Sequence, residues 1–105
     1  MLKCEIVFDR NKILFEKLYT PEKIQYYTDN LFLAYGLKKT ANGFFIGSND
    51  DTVKFMGAIL SLKRMDWFVS YVDKWIWYEN DNDGDYGEFY TEDLKAQLLC
   101  KPKPV

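Results

Sequence analysis

The chain has 105 residues, of which 48% are apolar and 18% aromatic, enough for one hydrophobic core and too few for a second. Its formal net charge is −2 and it has no histidine, which removes the commonest general base and the commonest transition-metal ligand. Triads built on Ser-His or Cys-His are thereby excluded, and Cys4 and Cys100, near opposite ends, cannot furnish a four-ligand zinc site.

Leu2, Cys4, Ile6 and Phe8 alternate with Lys3 and Glu5, the period-2 pattern of a strand with one buried face. Such an opening is not a signal peptide, and no window holds the ~18 to 20 continuous apolar residues of a membrane helix. A cytoplasmic protein is expected, neither spanning nor secreted, with Cys4 and Cys100 as reduced thiols. Asp9 to Lys12 has turn chemistry and Ile13 to Leu18 resumes a β-compatible apolar run, which predicts a hairpin over residues 2–18. Thr20-Pro21-Glu22 supplies a cap, a proline that loses nothing at the first helical position, and an acid at the positive helix end. A helix is therefore predicted over 21–35, with Ile24, Tyr27, Leu31 and Tyr35 on one face and Gly36-Leu37 as its left-handed C-terminal cap.

Asn42-Gly43 is a strong signal for a type I′ turn and predicts a hairpin over 38–47, with the polar segment Lys38 to Ala41 at an edge. Ser48, Asn49, Asp50 and Asp51 offer N-caps for a helix over 50–64, whose Val53, Met56, Ile59 and Leu60 recur at helical spacing. From Trp67 to Tyr78 period and propensity disagree. Trp67, Phe68, Tyr71, Val72 and Trp75 suit a helix, yet nine of the twelve residues are β-branched or aromatic, and a strand or strands within 67–79 are expected. Asp81 to Gly87 reads as a loop, Glu88 to Tyr90 as a short strand, and Thr91 onward as a helix over 91–100 that Pro102 and Pro104 end, leaving 101–105 as a loose tail. The order predicts a single α+β domain, a small antiparallel or mixed sheet with helices mainly on one face.

Several chemistries are weighed and set aside. Carboxylate pairs suffice for glycosidase-type hydrolysis, but such sites occupy deep clefts that a domain this small seldom has, so no enzyme is expected. Residues 79–90 place Glu79, Asp81, Asp83, Gly84 and Asp85 where a calcium loop has its first, third, fifth, sixth and seventh positions, but Tyr90 stands where the bidentate Glu belongs, and no metal is expected. Gly47-Ser48 ahead of a helix resembles a phosphate cradle, yet Asp50 and Asp51 would repel the anion and capping is the simpler role. Lys38, Lys39, Lys63 and Arg64 with Tyr35, Phe44 or Phe45 are compatible with single-stranded nucleic acid, but four cations in an acidic chain do not make a stripe. Neither a cofactor nor direct nucleic-acid binding is expected.

The charge distribution is the most informative feature. Glu79, Asp81, Asp83, Asp85, Glu88, Glu92 and Asp93 place seven negative charges and no positive one in fifteen residues, whereas residues 1–78 carry eleven basic against nine acidic residues. Strand alternation puts Trp75 and Trp77 on one face and Ile76 and Tyr78 on the other, so one set remains available at the surface. Large aromatics beside an acidic rim suit protein recognition. The expectation is a non-catalytic interaction module whose partner-binding residues are Glu79, Asp81, Asp83, Asp85 and Glu88 with Trp75, Trp77 and Tyr78, acting on a protein with a basic surface. A carboxylate-rich face imitates the charge of a nucleic-acid backbone, so that partner can itself bind nucleic acid. Its Lys, Asn, Tyr and Ile content suits a low-GC bacterial or phage genome, where small accessory proteins of this kind are common. The alternatives are a small-ligand or nucleotide-binding domain with an aromatic pocket, and a homodimer joined through a strand edge or the aromatic face of 67–78.

Overall fold

The alternating N-terminal segment forms β1 (Leu2–Phe8), with Leu2, Cys4 and Ile6 buried and Lys3 and Glu5 turned to the opposite face. This and all that follows concern residues 1–99, which the computed structural model describes; Cys100 and the expected tail over 101–105 lie outside them. The hairpin predicted over 2–18 does not form. Asp9 accepts a hydrogen bond from Lys12 N at 3.1 Å and caps a helix, α1 (Arg10–Glu16), which ends at Lys17 in the left-handed conformation with φ 58°. What looked like turn chemistry is capping chemistry, and the Ile13–Leu18 run winds so that Ile13 alone is buried.

Thr20 caps α2 (Pro21–Ala34) by accepting from Lys23 N at 3.1 Å, with Pro21 opening the helix. At the other end Gly36 has φ 84°, its N–H donates to the Leu33 carbonyl (2.9 Å), and Leu37 N–H donates to the Phe32 carbonyl (3.1 Å), the paired bonds of a Schellman cap. The buried face is Ile24, Thr28 and Phe32, whereas Tyr27 and Tyr35 are exposed. Thr28 is tolerated inside because its hydroxyl donates to the Ile24 carbonyl at 2.9 Å.

β2 (Lys38–Lys39) and β3 (Phe44–Gly47) form the second hairpin. Its turn is not type I′: only Gly43 takes positive φ (87°), and Gly43 N–H donates to the Thr40 carbonyl at 3.0 Å, a type I turn closed by a left-handed glycine. Ser48 and Asp51 then make a reciprocal capping box around a 3-10 turn (Asn49–Asp51) that leads into α3 (Thr52–Lys63). Phe55, Ala58, Ile59 and Leu62 are its buried residues; Val53, Met56 and Leu60 are exposed.

Both signals in Trp67 to Tyr78 are real, each for half of the segment: α4 (Asp66–Tyr71) passes directly into β4 (Val72–Glu79). The return strand is β5 (Tyr90–Asp93), and the last helix, α5 (Leu94–Leu99), starts three residues later than predicted because Thr91 to Asp93 pair with β4. Asp93 caps it, accepting from Ala96 N at 3.0 Å.

The five strands lie in the order β2-β3-β1-β4-β5, all neighbours antiparallel, which is the α+β architecture read from the sequence. Helices cover one face, where Phe32 stacks on Phe45 with ring centroids 4.0 Å apart and Trp75 meets Phe68 edge-on at 4.8 Å. At the end of this layer Ile13 packs with Ile24 and Tyr71, joined to the main core by Phe8 and Trp67. Lys3, Glu5, Phe44, Ile76 and Tyr78 share the other face, where all five are partly buried and no helix among the described residues packs. Among the described residues no helix is long and apolar enough to cross a membrane.

Candidate interaction surface at the acidic end of the sheet

β4 and β5 are joined by residues 80–89, and the local sequence folds this connection by side-chain amides rather than by a short turn. Asn80 Nδ2 donates to the carbonyls of Gly84 (3.3 Å) and Tyr86 (3.0 Å), and Asn82 Nδ2 donates to the Tyr86 carbonyl at 2.9 Å. Gly87 has φ 79°, a conformation that disfavours a side chain, and a Cβ there would approach Asn82 Nδ2 to 2.9 Å. The loop is also tied to the start of β1: the Met1 nitrogen donates to Asn80 Oδ1 (3.0 Å) and Asn49 Oδ1 (2.7 Å) and to the Asn82 carbonyl, while Asn80 N–H donates to the Met1 carbonyl at 3.2 Å.

On this frame Glu79, Asp81, Asp83 and Glu88 are exposed and have no ion-pair partner among the described residues. Glu79, Asp81 and Glu88 line one concavity of about 550 Å³ with Phe89 and Tyr90. Asp83 lies in a neighbouring one of about 290 Å³ beside Met1, Gly47, Ser48 and Asp51. The 3-10 turn therefore adds Asp50 and Asp51 to the same end of the molecule, a contribution the sequence reading missed because both residues also serve the helix start. The Ser48 backbone N–H and the Lys54 ammonium hold the Asp51 carboxyl below the usual carboxylate range. Asp85 differs from the rest, because Lys3 Nζ lies 3.1 Å from its Oδ1.

The expected aromatic anchors separate. Trp75 is wholly buried, so it is removed from the partner-binding set: its neighbour across the sheet, Ile6, faces the helices, and the alternation carries the indole into the core. Its Nε1–H has no hydrogen-bond partner among the described residues, the nearby Cys4 thiol being at most a weak acceptor. Trp77 is half-buried on the same face, edge-on to Phe55 at 5.0 Å, and its margin lines a groove with Met56, Leu60, Glu79 and Glu92. Tyr78 lies on the open face, its hydroxyl donating to Glu5 Oε1 at 3.0 Å. Burial and the Glu5 carboxylate both raise the pKa of that hydroxyl. Phe44 and Phe89 flank Tyr78, with centroids 5.9 and 6.3 Å away, and complete an aromatic patch next to the acidic loop. The sequence offers Phe44 only as a partner of Lys38, Lys39, Lys63 and Arg64, and Phe89 only as part of the short strand expected over Glu88 to Tyr90.

The other candidates resolve differently. No three Asp, Glu or Cys side chains among the described residues come together as a metal site. Lys39 is held by Asp29 at 2.9 Å on the β2 edge, whereas Lys63 lines the groove beside β4, so the four cations do not share a surface. A groove of about 660 Å³ runs between the end of β1 and α2, lined by Ile6, Phe8, Arg10, Gln25, Tyr26 and Asp29. No protein-family model matches the chain, and no curated protein is similar to it.

Proposed function

We propose that the chain is a non-catalytic interaction module that uses its acidic end, Glu79, Asp81, Asp83, Asp85 and Glu88, to engage a basic surface on another protein, a partner that can itself be a nucleic-acid-binding protein under regulation. The observation that carries the reading is a set of exposed carboxylates, four without ion pairs among the described residues, at the end of β4 and on the loop after it, which Asn80, Asn82 and Met1 pin. A pinned loop loses little conformational freedom on binding, so its electrostatic attraction is not spent on ordering. Tyr78, Phe44 and Phe89 supply aromatic surface beside the charges, with Trp77 contributing an edge on the helical side.

The test neutralises the site with Asp81→Asn, Asp83→Asn, Asp85→Asn and Glu88→Gln together. All four residues are exposed, so the variant keeps its far-UV circular dichroism and unfolds within about 1 kcal/mol of wild type. A partner retained by wild type and released by the variant supports the reading; equal retention by both contradicts it.

A further inference from the structure

Helix α3 is apolar on more of its circumference than the other described residues cover. Phe55, Ala58, Ile59 and Leu62 face the core, and Tyr35 covers Gly57, yet Val53, Met56 and Leu60 remain 82%, 51% and 48% exposed. Their spacing of three and four is that of a helix-packing seam. Beside them runs a groove of about 340 Å³ lined by Met56, Ile59, Leu60, Trp77 and Leu94. A second apolar stripe with an adjoining groove is what a partner helix fits.

The charges at the two ends say which partner. Asp50 stands at the N-terminal end of α3 and Lys63 and Arg64 at its C-terminal end, and none of the three has an ion-pair partner among the described residues. The groove has the same polarity, with Thr52 and Glu79 at one end and Lys63 at the other. A surface with an apolar centre and opposite charges at opposite ends is complementary to itself under a two-fold rotation.

We propose that α3 is the contact between two copies of this chain, packed antiparallel about a two-fold axis near Met56. In this arrangement Val53 of each copy lies against Leu60 of the other, and Asp50 of each faces Lys63 and Arg64 of the other. The helix dipoles oppose, which adds to the favourable charge pairing at both ends.

Sedimentation equilibrium over a concentration series tests the contact. Wild type gives twice the monomer mass, and Val53→Lys and Leu60→Lys each raise the dissociation constant about tenfold or more. Both residues are solvent-exposed, so circular dichroism stays at wild type and the change reads association alone. Asp50→Lys weakens the dimer, as does Lys63→Glu together with Arg64→Glu, and all three substitutions combined restore it, because the full swap re-forms the opposite-charge contacts at both ends. A protein that is monomeric up to about 1 mM, a dimer indifferent to Val53→Lys and Leu60→Lys, or a charge swap that fails to restore association overturns the proposal. Neutralising Asp81, Asp83, Asp85 and Glu88 leaves the mass unchanged, which separates this contact from the acidic surface.

Discussion

Lys3 joins the acidic loop to the open face of the sheet: its ammonium is 3.1 Å from Asp85 Oδ1 and lies 4.8, 5.2 and 4.6 Å from the ring centroids of Phe44, Tyr78 and Phe89. Its side chain is only 13% exposed, so these interactions are screened less than those of a surface pair. Lys3→Met keeps the apolar stem and removes the charge. It is expected to cost about 1 to 2 kcal/mol in urea unfolding and to speed amide exchange across 80–89. Asp85→Asn, which leaves the three rings in place, costs less than about 1 kcal/mol. Equal losses for the two variants would mean that the rings contribute nothing.

Gly47 is required by close approach and not by its backbone conformation. A Cβ at this position would lie 2.9 Å from Phe55 and 2.9 Å from Asp51 Oδ2, and Phe55 is wholly buried and has no room to yield. Gly47→Ala is expected to destabilise the fold by about 1 to 3 kcal/mol through overpacking and a strained capping box. Gly43→Ala meets no neighbour, and its cost comes from the positive φ of 87° alone. A Gly47→Ala protein as stable as wild type would show that α3 can shift away from β3.

Cys4 gives the protein an alkaline limb of stability. Burial pushes the thiol from its ordinary 9.0 to about 12, Trp75 opposing the shift and Glu5 adding to it. Above pH 9 the unfolded chain releases this proton while the folded chain holds it, so the contribution is complete below pH 9 and declines from there to about pH 12. The slope approaches about 1.4 kcal/mol per pH unit. The Tyr71 and Tyr78 hydroxyls are raised in the same sense, first by desolvation, and steepen the decline above pH 10. Urea unfolding between pH 7 and pH 10.5 should show a shallower alkaline fall for Cys4→Ala than for wild type; parallel curves would contradict the buried, protonated thiol.

Where a local device acts alone, the sequence announces it. Thr20-Pro21 and Gly36-Leu37 are each satisfied within a few residues and appear where the sequence places them, and of the four N-caps offered by Ser48 to Asp51 the structure uses Ser48 with Asp51 as a reciprocal box. Asp9 shows the limit: turn and N-cap chemistry use the same residue, and the decision fell to long-range pairing, since Asp9 N–H is taken by the Tyr71 carbonyl at 2.8 Å. Helix rotation was lost for a similar reason. In α3 and α2 several faces carry apolar or aromatic residues, and only the packed sheet selects Phe55 over Val53 and Phe32 over Tyr35. At the acidic end the charges were plain in one dimension, but Phe44 and the 3-10 turn reach the loop through strand order, which no window of sequence contains.

If the acidic end binds a basic partner by charge, capture from a cell lysate differs between about 50 mM and about 500 mM salt, concentrations between which the Debye length falls from roughly 14 Å to roughly 4 Å. Wild type and the variant neutralised at Asp81, Asp83, Asp85 and Glu88 are compared, with captured proteins identified by mass spectrometry. The expected result is a protein with a basic surface that wild type holds at low salt and loses at high salt, and that the variant fails to hold at either. A partner held equally at both salt concentrations, or by the variant as firmly as by wild type, would contradict it.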